Sequence, residues 1–317
     1  LLALLWLGLA LAPGASRAKY PERPITLVVP IAPGGAADAL ARTIAQKLQA
    51  RLGQSVIVEN RAGAAGVVGT DSVARAAPDG YTMVMGSSAL VVLSAVDPQS
   101  MPFDVLKDLR PVTQTSLAPM VIAASPGAPF STLGEMVAYA KANPGKLSVG
   151  VSPGPRGTAH LTLERMKLEL GFDAVAIPYK GSAPATLAVL SGEVPVIIDV
   201  LSGATPYFAK GTMRALGTLT ESRVVPDIPT TGEAGFPGYE ANTWNGFLVP
   251  AGTPDDVVAL LSREIEAILA EPDVQEKIVQ LGLVPASKTG PAPFADMMAR
   301  DIETWSRVVQ KANLDVQ

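Results

Sequence analysis

The sequence predicts an α/β protein built as two lobes. Three observations predict it. Strand-like runs and amphipathic helix-like runs alternate along most of the chain. At 317 residues the chain is longer than one small core requires. Two extended, proline-punctuated runs, around residues 111–119 and 242–249, interrupt the alternation and read as crossovers out of one lobe and back.

Residues 25–29 (ITLVV) form a short β-rich run. After a Pro/Gly loop, Leu40, Ile44, Leu48 and Leu52 recur every four residues, which lines one helix face, and Gly53 stops that helix. Residues 56–59 are the next strand. A glycine-rich loop and a helix follow, closed by the turn signal Pro78-Asp79-Gly80. Residues 82–85 make a third strand. This βαβαβ order predicts a parallel sheet with helices on both faces. Beyond the first crossover the same grammar restarts with a strand at 121–124. Thr132 and Glu135 form a capping box opening a helix that ends at Asn143-Pro144-Gly145. Residues 147–151, 174–177, 196–199 and 213–219 are further strands, separated by helices. A long Pro/Gly loop, 226–238, precedes the second crossover. Thr253 then reads as an N-cap, with Pro254 at the first helical position and Asp255 and Asp256 near the positive dipole end. Helix continues to about Ala312. One lobe is therefore expected to use residues 19–115 and 247–317, and the other 116–246.

Residues 1–12 are an apolar run, broken at Pro13-Gly14 and followed by Ser16-Arg17-Ala18. A run of about 12 residues is short of the roughly 20 that a spanning helix needs, so 1–18 reads as a signal peptide and export to a periplasm is expected. The chain has no cysteine, which rules out disulfides, thiolate metal sites and cysteine nucleophiles. Hydrophobic residues at 48% against 17% charged exclude a disordered chain. A net charge of −4, no run of Lys or Arg and only 5% aromatic residues argue against a nucleic-acid partner. Mild acidity does not exclude an anionic ligand, because backbone N–H groups at helix starts bind anions without side-chain charge. With a single histidine and no carboxylate cluster in view, neither a metal nor another cofactor is expected.

Two strand-to-helix loops carry the strongest binding signal. The first holds Ile31, Ala32, Pro33, Gly34 and Gly35; its glycines let the backbone approach a ligand, and the helix behind it leaves N–H groups unpaired. Asp38, which would repel an anion, is expected to cap or brace that turn. The second holds Ser152, Gly154, Arg156, Gly157 and Thr158. Thr158 suits an N-cap, and Arg156 can pair with a second carboxylate or remain a solvated loop charge. A third loop, Gly63 to Gly69, has the spacing GxxGxxG rather than a dinucleotide fingerprint and suggests close helix–sheet packing. Ser87, Ser88, Tyr179 and Asp199 lie at or just past carboxyl ends of strands, where open α/β sheets collect ligands, and Trp244 lies in the return crossover. Asp199 could select an amino group or a hydroxyl if it faces the ligand. Asp104 and Asp108 read as solvent-facing charge on a possible helix face.

Gly150-Val151-Ser152-Pro153-Gly154 also matches the GxSxG nucleophile elbow of α/β hydrolases. A serine hydrolase using Ser152 is the alternative reading. It lacks an oxyanion donor, since Pro153 has no N–H, and its only candidate base, His160, follows just eight residues later.

Tyr20-Pro21-Glu22-Arg23-Pro24-Ile25, Pro33-Gly34-Gly35-Ala36-Ala37-Asp38, Val58-Glu59-Asn60-Arg61-Ala62-Gly63-Ala64-Ala65-Gly66, Pro78-Asp79-Gly80-Tyr81, Pro178-Tyr179-Lys180-Gly181 and Pro250-Ala251-Gly252-Thr253-Pro254 follow one another along nearly the whole chain. Together they resemble the Bug-type receptors, the solute-binding proteins of tripartite tricarboxylate transporters. The resemblance implies a two-lobe, type II-like periplasmic binding fold with two hinge crossovers and a ligand cleft between lobes. It implies that ligand carboxylates are held by loops of both lobes, here Ile31 to Gly35 and Ser152 to Thr158, largely through backbone N–H groups and bridging waters. It further implies a binding protein rather than an enzyme, partnered by a small carboxylate and membrane permease subunits. A monomer is expected, since a hinged receptor must open freely. Arg156 departs from the small or amide residue usual there and would favour a dicarboxylate.

Overall fold

The computed structural model describes residues 20–152, 157–179, 181–220, 225, 227–239, 241–287 and 289–312. The expected signal peptide, Gly154 and Arg156 lie outside the described residues.

The first expected unit forms as a parallel trio. Strand β1 (Ile25–Val29) lies between β2 (Val56–Asn60) and β3 (Thr82–Ser87). Helix α1 (Ala36–Leu52) links β1 to β2 and ends as expected at Gly53, whose φ of 68° is left-handed and suits a residue without a Cβ. Leu40, Ile44 and Leu48 are fully buried against the sheet, each contributing about 1.5–3 kcal/mol over an exposed position. A 3₁₀ turn and α2 (Val67–Ala74) connect β2 to β3, and α3 (Ser88–Val96) leaves β3.

The first crossover and the strand expected at 121–124 are one element. Strand β4 (Leu109–Ala124) is 16 residues long. Its prolines do not break it. Register shifts between Pro111 and Thr113, beside the missing N–H, so the ladder tolerates that residue as an irregularity. The following elements are α4 (Leu133–Ala142), β5 (Ser148–Val151), α5 (Thr158–Leu170), β6 (Val175–Pro178), α6 (Ser182–Ser191), β7 (Val196–Val200), α7 (Leu201–Ala209) and β8 (Arg214–Thr218). The capping box forms: Thr132 Oγ1 accepts from Glu135 N at 3.2 Å, and the Glu135 carboxylate accepts from Ser131 N rather than from the cap residue's own N–H. The return crossover is β9 (Asn242–Pro250), laid antiparallel between β3 and β4. Helices α8 (Asp255–Leu269) and α9 (Pro272–Gln280), the short β10 (Val284–Pro285) and α10 (Pro291–Ala312) follow. Thr253 is not the N-cap of α8. Pro254 holds that position, and Thr253 Oγ1 donates back to the Pro250 carbonyl at 2.7 Å. Asp104 and Asp108 sit in a turn, not on a helix: Asp104 N donates to Asp108 Oδ2 at 2.7 Å.

The main strand order is β2-β1-β3-β9-β4-β7-β5-β6, with β8 and β10 also paired to β4. Alternate residues of each strand feed opposite faces, as a period of two requires. Leu27 and Val29 pack with α1 and α8, whereas Val28 packs with Trp244, Leu248 and Phe294. In the second part of the sheet Val151 and Ile198 pack with α4 and α5, whereas Ile197 packs with α6. Helix α10 serves two clusters. Phe294 and Met298 complete the one around Trp244, while Trp305, Val308 and Val309 complete the one around β5 and α5. Among the described residues no helix is long and apolar enough to cross a membrane.

Candidate functional site

Strand directions decide where the ligand loops meet. β1 and β3 run antiparallel to β9, β9 to β4, and β4 to β7, with β5 and β6 parallel to β7. The β3 strand and the β5–β7 group therefore point in opposite senses and pair with different stretches of the long β4. Ser87, the last residue of β3, is level with Asn245 and, through it, with Ser116 of β4. Val200, the last residue of β7, pairs with Met120. Both sets of carboxyl ends thus open onto residues 116–120 of β4, about 14 Å apart along the strand at roughly 3.4 Å per residue. Helices α1 and α3 start on one side of this gap and α5, α6 and α7 on the other. None of the five has a side-chain cap, so their first-turn N–H groups face the gap as partial positive charge.

The first loop is open and braced from behind. Ile31, Ala32, Pro33, Gly34 and Gly35 are all exposed. Gly34 has φ 97°, a left-handed conformation that turns the chain into α1. Asp38 braces it, accepting from Gly34 N at 2.9 Å, Asn60 Nδ2 at 2.8 Å and Arg42 Nε at 3.2 Å. Asn60 Nδ2 also donates to the Ile31 carbonyl, and Arg42 Nη2 donates to Asn60 Oδ1. Burial would push the Asp38 carboxyl up, but these three donors outweigh it and hold it below the usual range. Asp38 is thus committed to shaping the loop. Asn60 and Arg42 are positioning residues that the sequence did not single out. The i, i+4 spacing of Asp38 and Arg42 was the available signal.

Gly69 fastens this loop to the sheet. An added Cβ would lie 2.6 Å from the Arg61 carbonyl oxygen and 2.8 Å from Pro30 Cβ, so the GxxGxxG segment is a packing device, as expected. Ala64 and Ala65 in the same segment have left-handed φ values of 45° and 54°.

Ser152, at the end of β5, is buried, and its Oγ has no hydrogen-bond partner. A nucleophile needs a base in contact, and none is engaged. His160 Nε2 instead lies 3.7 Å from the Glu164 carboxylate. Gly157, not Thr158, is the N-cap of α5; its extended backbone (φ −75°, ψ 172°) meets the requirement, and Thr158 is the first helical residue, buried behind it. Ser87 is the N-cap of α3, and Ser88 is buried in its first turn.

Three other candidates are held differently. The Tyr179 hydroxyl donates to Glu193 at 2.9 Å, beyond the carboxyl end of α6 and away from the gap; burial and that carboxylate raise its pKa. Trp244 is in the core, stacked edge-on against Phe294 at 5.0 Å, with Nε1 donating to Asp301 Oδ2 at 2.9 Å. Asp199 is buried at the end of β7, accepting at Oδ1 from Val200 N (2.7 Å) and Ser182 Oγ (2.9 Å). Burial raises its pKa against those two bonds. A surface cavity of about 540 Å³ lined by Ser94, Met101, Phe103, Leu106 and Ile302 gathers no strand-end loop and lies outside this site. Among the described residues no trio of His, Cys, Asp or Glu is arranged to hold a metal ion.

An α/β sheet shared by a long crossover strand, with uncapped helix starts gathered at opposed strand ends, is the arrangement of a solute-binding protein, and the family match agrees. The chain belongs to the tripartite tricarboxylate transporter receptor family, TctC, whose profile matches residues 40–314. This is a family of receptors rather than enzymes. The chain is similar to Protein BugT of Bordetella pertussis, 36% identical over 305 residues, 95% of this chain and 93% of BugT. Three solved structures are also similar. The periplasmic binding protein BugD is 33% identical with a TM-score of 0.72, covering 94% of this chain and 100% of its own. Rhodopseudomonas palustris Rpa4515, solved with adipate, is 31% identical with a TM-score of 0.76, covering 93% and 98%. MatC of the same organism, solved with malate, is 31% identical with a TM-score of 0.73, covering 92% and 100%. The fold expected from the sequence, and the resemblance to Bug-type receptors, therefore hold.

Proposed function

We propose that this receptor works in the periplasm, captures a small carboxylate between two lobes, and delivers it to the permease subunits of a tripartite transporter. The lobes are residues 19–115 with 247–317, and residues 116–246, hinged where β4 and β9 pass between them. The observation that carries the reading is the meeting of five uncapped helix starts at residues 116–120 of β4, with the unpartnered hydroxyl of Ser152 buried at the same edge. One carboxylate sits on the N–H groups of Gly35 and the first turn of α1, with Gly34 N held back by Asp38. The other end of the ligand meets Ser152, Gly157 and Thr158 at the start of α5. Closure is favoured because only the closed state contacts the ligand from both sides. The relatives solved with adipate and malate support the carboxylate class.

The test is a thermal-shift and calorimetric screen of the chain against mono-, di- and tricarboxylates, with Ser152→Ala alongside. A matching acid at about a hundred times its Kd should stabilise the protein by about 2.7 kcal/mol, and the alanine variant should bind it more weakly. No stabilisation by any carboxylate, in protein shown by mass spectrometry to be free of prebound ligand, would refute the reading.

A further inference from the structure

Asp199 is a buried carboxylate near the carboxyl end of β7, beside the gap proposed above to hold an anion, and repulsion makes that placement costly unless the ligand has something for it to bind. Its surroundings indicate what. Both of its hydrogen bonds, from Val200 N and Ser182 Oγ, end on Oδ1, which leaves Oδ2 as an unused acceptor. Its neighbour is equally incomplete. β5 and β7 pair in parallel with Val151 opposite Ile198, so the next step sets Ser152 beside Asp199, about 4.8 Å away. Val151 and Ile198 both face α5, hence Ser152 and Asp199 share the other face, toward the starts of α6 and α7. One buried hydroxyl with no partner and one half-used carboxylate thus sit side by side at the same strand ends.

We infer that Asp199 is the specificity-determining residue of this receptor and selects carboxylates that carry a hydrogen-bond donor, a hydroxyl or an ammonium, on the carbon next to a carboxyl group. The inference rests on the carboxylate reading above. The donor approaches Asp199 Oδ2 while the adjacent carboxylate takes the Ser152 hydroxyl and the start of α5. A ligand with no donor leaves Oδ2 desolvated and unpaired, facing a carboxylate of its own sign. Such an absence is penalised far more heavily than a missing methylene. Among relatives the two solved ligands differ in this respect, since malate carries a 2-hydroxyl and adipate does not.

The test compares three four-carbon dicarboxylates that differ only at one position: succinate with hydrogen, malate with hydroxyl and aspartate with ammonium. Calorimetry is run on the full chain and on Asp199→Asn, which keeps the shape and an acceptor for Val200 N but replaces Oδ2 by a donor. For the wild-type chain, malate or aspartate should bind at least about tenfold more tightly than succinate. In Asp199→Asn that gap should close, with succinate binding unchanged or improved, and melting curves should show the variant folded. Ser152→Ala should weaken all three ligands alike. Which of malate and aspartate leads identifies the donor. Equal binding of all three by the wild-type chain, or a gap that survives in Asp199→Asn, would overturn the role of Asp199 and leave the carboxylate receptor standing. Failure of the whole panel of carboxylates would overturn both.

Discussion

Replacing Trp244 by Phe should destabilise the protein in a pH-dependent way, and the dependence belongs to Asp301. The indole N–H donates to Asp301 Oδ2 at 2.9 Å inside the core. Burial lifts the Asp301 carboxyl above its ordinary value, while the indole donor and Arg300 pull it partly back. A carboxyl raised in the folded state binds its proton more tightly there than in the unfolded chain. It is therefore neutral on stability below the unfolded value of about 3.9 and costs stability as pH rises through the folded value. Removing the indole donor lifts the folded value further and enlarges that cost on the alkaline side. Two contributions add. Lost packing against Phe294 costs about 1–2 kcal/mol at every pH, between a methylene deletion and a full aromatic truncation. The lost bond to an ionised carboxylate costs about 1.5–3 kcal/mol near neutrality, against about 0.5–1.5 kcal/mol when the acceptor is neutral. Trp244→Phe should thus lose about 2.5–5 kcal/mol near pH 7.5 and about 1.5–3.5 kcal/mol near pH 4, a difference of about 1–1.5 kcal/mol. Chemical denaturation followed by far-UV circular dichroism measures this without relying on the deleted fluorophore. Asp301→Asn in the same background should flatten the difference. Equal losses at both pH values, with Asp301 unaltered, would show that the indole does not stabilise a charge.

Three further substitutions probe the frame of the site. Gly69→Ala should destabilise by about 1–3 kcal/mol, because its Cβ meets the Arg61 carbonyl oxygen at 2.6 Å and the backbone there must shift; urea titration reads it out. Asp38→Asn should cost about 1–2 kcal/mol near neutrality by weakening the bonds to Gly34 and Arg42. Since the Asp38 carboxyl is held below its unfolded value, its contribution is present above the unfolded pKa and lost as pH falls through the folded one. Wild-type and variant melting temperatures should therefore converge in acid. Thr132→Ala removes the cap on Glu135 N and should cost about 1 kcal/mol, with no change in ligand affinity, because α4 takes no part in the gap.

Local signals made much of the fold legible. The β-branched run of β1, the four-residue spacing of α1 and its stop at Gly53 each determine their element through neighbours close in sequence. Where the sequence misled, the deciding partner was distant or the residue had an unusual use. The proline-punctuated run 111–119 read as a crossover separate from the strand after it, yet β4 runs through both prolines, with an irregular ladder beside Pro111 and regular register at Pro119. Thr253 has the composition of an N-cap, but its hydroxyl finds the Pro250 carbonyl first. The site loops were visible through glycines that open helices. Their bracing was not, because Asn60 meets Asp38 only after β1 and β2 pair. The roles of Trp244 and Tyr179 were hidden for the same reason: Asp301 lies 57 positions after the one, and the fold turns the other's hydroxyl toward Glu193.

The double duty of α10 has a consequence for the order in which the molecule can be made. Its first turns close the apolar cluster around Trp244, and its last turns, through Trp305, Val308 and Val309, close the one around β5 and α5. Both cores thus wait for a segment that is synthesised after every strand of the sheet. A nascent chain can pair β1, β2 and β3 early, but the hydrophobic faces of its middle stay open to water, and to any chaperone that reads them, until α10 arrives.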